Sequence, residues 1–380
     1  MERGAHAHMT DVDARFMSAV LAYARRGLGR VWPNPSVGAL IVSDPASGGV
    51  VVGQGVTQPP GGAHAEVIAL RQAGERARGA TCYVTLEPCS HQGRTGPCAV
   101  ALADAGIARV VIGLPDPNPR VSGRGVEMLR ARGVEVVTGV LRDACAQHHA
   151  GHVRRVLSGR PHVILKLAVS RDGFIGREGE GQIPITGPDV FRRVHVLRAE
   201  CDGILVGVGT AIADDPVLNC RLSGLANRSP VRVVLDTSAR LPLDSRLVAT
   251  AREVPVWVLV SAQADPEAVS ALSTAGCTVI RLATPLNGRI EPHAAMRALG
   301  QRGLTRLLVE GGATVANALL GTDLADEVII SRGDMLVGEG GILPFAGRGL
   351  EALSASGRYA MLETVPVGTD TMTRYLRRMD

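Results

Sequence analysis

Lysine and aromatic residues are nearly missing from this chain. Of 41 basic residues only Lys166 is a lysine, and aromatics make up 3% of the 380 residues. No long basic run or basic-aromatic stripe accompanies the net charge of +5, which argues against a nucleic-acid surface and for small phosphorylated ligands. No apolar run approaches the roughly 20 residues of a membrane helix, so no membrane contact is expected. A signal peptide is also lacking, because Asp11, Asp13 and Arg15 interrupt the one candidate stretch. Residues 1–8 read as a leader, with Met9 as an alternative start. Seven cysteines, an odd number, do not make a disulfide framework. A reducing, cytoplasmic location is expected, with thiols free or metal-bound.

What is present is ordinary for a globular chain: 46% hydrophobic and 20% charged residues, with 22 prolines and 46 glycines spread along the length. Such a length predicts more than one core. Phe16, Val20, Leu21, Ala24 and Leu28 recur at helical spacing over 11–28, with Asp11 as N-cap. Apolar runs at 37–42, 50–56, 81–86, 109–112 and 134–138 then alternate with helical stretches at 65–73, from Cys98, and at 126–132. Strands alternating with helices predict a layered α/β domain. The polar helical stretch from Leu141 closes at Gly159-Arg160-Pro161. The expected division is therefore a first domain over 9–145, a linker over 146–160 and a second domain over 161–380. In the second half, apolar runs at 163–169, 204–208, 231–235, 256–260, 278–282, 306–309 and 327–330 interleave with helical stretches such as 190–199 and 313–320. It reads as another α/β domain, without an internal repeat.

The sharpest chemical signal is His64-Ala65-Glu66 followed by Pro88-Cys89 and Cys98. One imidazole and two thiolates are three zinc ligands that leave a fourth position for water, the pattern of a catalytic metal. Glu66 falls at the start of a predicted helix, where it can act as proton acceptor and donor without being a ligand. The pattern is that of zinc nucleobase deaminases, except that residues 90–97 separate the cysteines where two residues are usual. Cys98 at a helix start is expected to be favoured as thiolate by the helix dipole.

The stretch Pro88-Cys89-Ser90-His91-Gln92-Gly93-Arg94-Thr95-Gly96-Pro97-Cys98 resembles the bifunctional riboflavin-pathway deaminase/reductase family. So do Asn34-Pro35-Ser36-Val37-Gly38, Gly62-Ala63-His64-Ala65-Glu66-Val67, Val84-Thr85-Leu86-Glu87 and Asp116-Pro117-Asn118-Pro119. The resemblance implies a cytidine-deaminase-like three-layer domain with His64, Cys89 and Cys98 on zinc and Glu66 catalytic. It also implies a diaminopyrimidinone substrate carrying a ribosylamino 5′-phosphate, with Asn34 on the pyrimidine and His91 and Arg94 on the phosphate.

In the second half, Glu310-Gly311-Gly312 follows a buried run and opens a helix, a turn whose free amides attract phosphate. Leu165-Lys166-Leu167-Ala168, Asp172-Gly173, Ile185-Thr186-Gly187-Pro188, Leu197-Arg198-Ala199 and the stretch from Thr210 to Pro216 look like the same family's reductase domain. That resemblance implies a dihydrofolate-reductase-like α/β fold. Ala168, Thr210, Asp214, Thr237 and Gly312 would line an NADPH site, while Arg198, Leu218, Arg221 and Glu310 would surround the ribosyl phosphate. Gly181-Gln182-Ile183-Pro184 lacks the family's tryptophan, so contacts of the loop 179–185 are not carried over. Lys166 is expected to act catalytically at the ribose end, since an ammonium is a compact donor that a guanidinium does not reproduce. The residues alone leave two alternatives open: a nucleoside or RNA-base deaminase with an unrelated second domain, and a structural zinc site with His91 as fourth ligand. Homo-oligomerisation is likewise left open.

Overall fold

A computed structural model describes residues 11–90, 96–119, 121–181, 183–283, 288–345 and 348–378, which fall into two units, Met1–Gly159 and Arg160–Asp380. The first unit holds strands β1 (Gly38–Ser43), β2 (Val50–Val56), β3 (Thr81–Leu86), β4 (Arg109–Leu114) and β5 (Glu135–Thr138). Its helices are α1 (Asp11–Ala24), α2 (Ala65–Ala73), α3 (Cys98–Asp104), α4 (Arg124–Ala131), α5 (Arg142–His148) and α6 (Ala150–Ser158). The sheet order is β2-β1-β3-β4-β5, with β1 antiparallel to its neighbours and β3, β4 and β5 parallel.

Successive strand side chains point to opposite faces, and here both faces are covered. Ala39, Ile41, Cys82, Val84, Val110, Ile112 and Val136 pack with α2, α3 and α4. Leu40, Val42, Tyr83, Val111 and Val137 pack with α1 and with Cys145 of α5. Three layers follow. β2 and α2 approach more closely than side chains permit: a Cβ on Gly55 would lie 2.0 Å from the Ala65 carbonyl oxygen, and one on Gly53 2.1 Å from that of Ala69. Alanines at 65, 69 and 73 form the facing stripe of α2.

Two expectations change. α1 stops at Ala24 and a 3-10 turn follows (Arg25–Gly27), because the Ser36 hydroxyl donates to the Ala24 carbonyl at 2.6 Å. Asp11 is itself helical rather than the cap. The stretch 146–160, expected as a linker, forms the end of α5 and α6. His149 is 2% exposed, with Nε2 3.0 Å from the Thr85 hydroxyl, and His148 Nε2 donates to the Ser36 carbonyl at 2.7 Å. The polar pattern is the outer face of a helix whose Val153 packs on the sheet.

The second unit holds β6 (His162–Val169), β7 (Gly203–Gly207), β8 (Val231–Leu235), β9 (Val256–Ser261), β10 (Thr278–Leu282), β11 (Arg306–Val309), β12 (Glu327–Arg332), β13 (Tyr359–Val367) and β14 (Asp370–Arg377). Its helices are α7 (Pro188–Ala199), α8 (Val208–Asp214), α9 (Arg246–Ala249), α10 (Pro266–Thr274), α11 (Pro292–Gln301), α12 (Ala313–Gly321) and α13 (Glu351–Ala355). Strand order is β10-β9-β8-β7-β11-β6-β12-β14-β13, parallel from β10 to β12 and antiparallel beyond. Except for the edge strand β10, which buries only Ile280, the parallel strands are buried on both faces and therefore read as continuous apolar runs. From β7 the chain steps outward to β10, then returns to place β11 between β7 and β6. In open α/β sheets such a reversal is where ligands bind, at the carboxyl ends of the strands. Among the described residues no helix is long and apolar enough to cross a membrane.

Candidate active sites

In the first unit His64 is the residue preceding α2, Cys89 follows β3, and Cys98 opens α3. His64 Nδ1 lies 3.6 Å from Cys89 Sγ and 3.3 Å from Cys98 Sγ, and the donor atoms all fall within 4.8 Å of one another. Ligands on the corners of a zinc tetrahedron are separated by about 3.5 Å, so the three residues can hold that ion. The Cys98 backbone N–H donates to Cys89 Sγ at 3.3 Å. The amide at the start of α3 thus serves Cys89, not Cys98. The hydrogen bond from the Cys98 thiol, against the opposing effect of burial, draws the Cys89 thiol down, while the same pairing and burial drive the Cys98 thiol up.

Glu66 lies in the first turn of α2 and is 3% exposed. Burial raises its carboxyl to about 7, so the group can exchange a proton near neutrality. The Gly55 approach fixes this turn, since Ala65 sits between His64 and Glu66. Asn34 is half-buried in the turn before β1, its N–H donating to the Val31 carbonyl at 3.0 Å. The turn is braced where the Gly38 N–H donates to the Thr85 hydroxyl at 3.1 Å. His91 and Arg94 lie outside the described residues.

Sequence reasoning did not assign a task to Glu87, which is 4% exposed and two residues before Cys89. Its carboxylate accepts the backbone N–H groups of Asp116, Gly123 and Gly125 at 3.0–3.2 Å. It thereby ties the loop 116–119 and the start of α4 to the end of β3. The sequence signals were its place directly after an apolar run and in the stretch Val84-Thr85-Leu86-Glu87, neither of which gave it a task.

In the second unit the expected cofactor residues gather at the carboxyl ends of β8, β7, β11 and β6, which are neighbours. Ala168 is near the end of β6, Thr237 follows β8, and Thr210 is in the first turn of α8. Gly312 precedes α12, and its N–H donates to the Thr210 hydroxyl at 3.3 Å. Asp214 ends α8, where burial pushes its carboxyl up.

Arg198 and Glu310 form a bidentate pair, Nε to Oε1 at 2.8 Å and Nη2 to Oε2 at 2.9 Å, with side chains 10% and 14% exposed. Burial works against ionising Glu310, but the Arg198 guanidinium prevails and holds it low. The remaining Nη1 of Arg198 donates to the Asn219 carbonyl at 3.0 Å. Arg198 is therefore committed to protein partners, whereas the exposed Arg221 gives one Nη1 bond to the Asn219 side chain at 3.1 Å. Leu218 is buried in a left-handed conformation, φ 54°, that turns the chain toward Asn219 and Arg221. Lys166, on β6, faces the charges of Glu310 and Arg198, and burial lowers its pKa. Its side chain makes no hydrogen bond among the described residues.

Residues 161–372 match the RibD C-terminal domain model, and residues 10–114 match the cytidine and deoxycytidylate deaminase zinc-binding region. The riboflavin biosynthesis protein RibD of Escherichia coli K12 is 38% identical, over 94% of this chain and 97% of that protein. RibD from Acinetobacter baumannii superposes with a TM-score of 0.83 at 35% identity, covering 97% of this chain and 99% of that one. A Thermotoga maritima protein described as a diaminohydroxyphosphoribosylaminopyrimidine deaminase/5-amino-6-(5-phosphoribosylamino)uracil reductase gives 0.82 at 33% identity, with the same coverage. Coverage of both halves removes the reading of a nucleoside or RNA deaminase joined to an unrelated domain. The fold class is the expected one, a deaminase-type α/β unit followed by a reductase α/β unit. The chain belongs to the RibD family of riboflavin biosynthesis proteins and is a bifunctional deaminase and reductase.

Proposed function

We propose that the first unit removes an amino group hydrolytically from 2,5-diamino-6-(5-phosphoribosylamino)pyrimidin-4-one. The second unit then reduces the ribosyl side chain with NADPH, giving 5-amino-6-(5-phosphoribitylamino)uracil. The convergence of His64, Cys89 and Cys98 beside the buried Glu66 carries the first step.

His64, Cys89 and Cys98 would hold zinc, which when bound would make a water more acidic than bulk water. Glu66 takes one proton from the attacking water and gives it to the ring nitrogen, then takes the second proton from the added hydroxyl and gives it to the departing amino group, which leaves as ammonia. Its pKa near 7 suits both directions of transfer. Asn34 hydrogen-bonds the pyrimidine, and His91 and Arg94 take the phosphate.

In the second unit Ala168, Thr210, Asp214, Thr237 and the amides that begin at Gly312 would hold NADPH, which would supply the hydride when bound. Lys166 donates to the ribose oxygen, since its half-buried side chain is not tied down by a hydrogen bond among the described residues and burial eases release of its proton. Arg198, Leu218, Arg221 and Glu310 form the ribosyl phosphate subsite. Within it Arg221 meets the phosphate, while the Arg198–Glu310 pair supports the chain beneath. None of the seven cysteines is in a disulfide, in keeping with a cytoplasmic enzyme.

The deaminase assignment is tested by removing metal with a chelator and restoring zinc. Ammonia release is expected to vanish and return, with reductase turnover on preformed aminouracil unchanged. Ammonia release that survives complete metal removal refutes it.

A further inference from the structure

His195 is 1% exposed and lies on α7 three residues before Arg198. Its Nδ1 accepts the backbone N–H of Arg221 at 3.1 Å, and its carbonyl accepts the Cys220 thiol at 3.4 Å. Its ring packs edge-on against Phe191 at 4.3 Å between centroids, and the Arg221 guanidinium lies 5.5 Å from the centre of that same Phe191 ring. Nε2 is buried without a partner among the described residues. A neutral imidazole has one donor and one acceptor nitrogen. Since Nδ1 accepts, the proton resides on Nε2.

The consequence concerns how the segment 218–221 is held. Arg198 takes the Asn219 carbonyl and His195 takes the next free amide, that of Arg221. Two side chains one helical turn apart on α7, together with the Ser229 hydroxyl that accepts the Cys220 N–H at 3.0 Å, therefore set the position from which Arg221 projects. Nothing else described bonds that amide.

We propose that His195 is a positioning residue of the reductase, whose unprotonated Nδ1 fixes the backbone of Arg221 and thereby sets recognition of the substrate's phosphate. The inference rests on the reading of Arg221 as the phosphate contact and adds the device that holds it. Burial, with the nearby Arg198 and Arg221 charges, keeps the imidazole neutral at physiological pH and so keeps the acceptor available. The histidine acts through the arginine and needs no contact with substrate.

The test compares His195→Asn, whose amide oxygen can occupy the Nδ1 position, with His195→Gln, whose longer side chain carries its amide to the Nε2 position. Reductase kinetics on the deaminated substrate are measured with and without its 5′-phosphate, and Arg221→Gln reports on the phosphate subsite itself. His195→Gln is expected to raise KM for the phosphorylated substrate about tenfold, the scale of one lost anchoring hydrogen bond, with kcat and the KM for NADPH unchanged. His195→Asn is expected to restore KM to within about twofold. On the dephosphorylated substrate both His195 variants should match the unsubstituted enzyme. Equal losses on both substrates, or identical behaviour of the Asn and Gln variants, overturn the positioning role. Loss of phosphate preference in Arg221→Gln with none in His195→Gln overturns it while leaving the subsite standing. Retained preference in Arg221→Gln overturns the subsite and the inference together.

Discussion

Replacing Gly55 by alanine should silence the deaminase by moving two of its functional groups without touching either. The new Cβ would lie 2.0 Å from the Ala65 carbonyl oxygen and 2.9 Å from the Ala69 nitrogen. Both are backbone atoms, so no rotamer change relieves the clash. Restoring ordinary contact of about 3.5 Å requires β2 and α2 to part by about 1.5 Å. Ala65 lies between His64 and Glu66, so the shift draws both away from Cys89 and Cys98. Misplacement of about 1 Å costs a reaction about 100-fold, and overpacking of this kind destabilises by about 1–3 kcal/mol. Ammonia release and zinc content of the purified variant measure the effect. Reductase turnover of the same molecules is the internal control. Gly321→Ala, where a Cβ meets nothing within 4 Å, should leave both activities intact. Unchanged zinc content and ammonia release in Gly55→Ala would refute the reasoning.

Three further outcomes follow from the geometry. Glu66→Gln should lower ammonia release by about 10²–10⁴-fold while zinc content stays, since the carboxylate is outside the His64, Cys89 and Cys98 donor group; loss of zinc with activity would assign Glu66 to the metal instead. Lys166→Arg should lower reductase kcat by about tenfold or more with deamination unaffected, and unchanged turnover would remove Lys166 from the mechanism. His195 titrates near 4 in the folded chain against 6.5 when unperturbed, because of burial and the Arg198 and Arg221 charges. Between those values the unfolded chain binds a proton that the folded chain does not, so the contribution of this group is complete above 6.5 and falls as the pH drops toward 4. Urea midpoints across that range should decline less steeply for His195→Asn, and an identical slope would contradict the depressed pKa.

The central strands were legible because each is an apolar run bounded by turn residues, as with 81–86 and 306–309. The β13–β14 hairpin was not, because β13 exposes most of its length and buries chiefly Tyr359 and Val367 at its ends. An exposed edge strand carries no alternating pattern. The helix α6 read as a linker for a related reason: its polar outer face hid the apolar contact of Val153. At the sites, His64, Glu66, Cys89 and Cys98 were visible because zinc chemistry demands particular residue types at particular spacings. Glu87 and His195 were not, because each serves backbone amides, a task that leaves no motif. The thiolate preference was assigned to Cys98 from its place at a helix start, whereas the amide there points to Cys89. That distinction depends on how residues 89 and 98 meet in space.

The most direct test of two chemistries in one chain is a single assay of zinc-loaded protein with the diaminopyrimidinone phosphate. Ammonia is followed first without NADPH, and NADPH oxidation is followed after its addition. The account predicts ammonia release without the nucleotide, then loss of one NADPH for each ammonia released. NADPH oxidation that proceeds without any ammonia, or ammonia release that requires NADPH, would contradict the proposed order and the independence of the two sites.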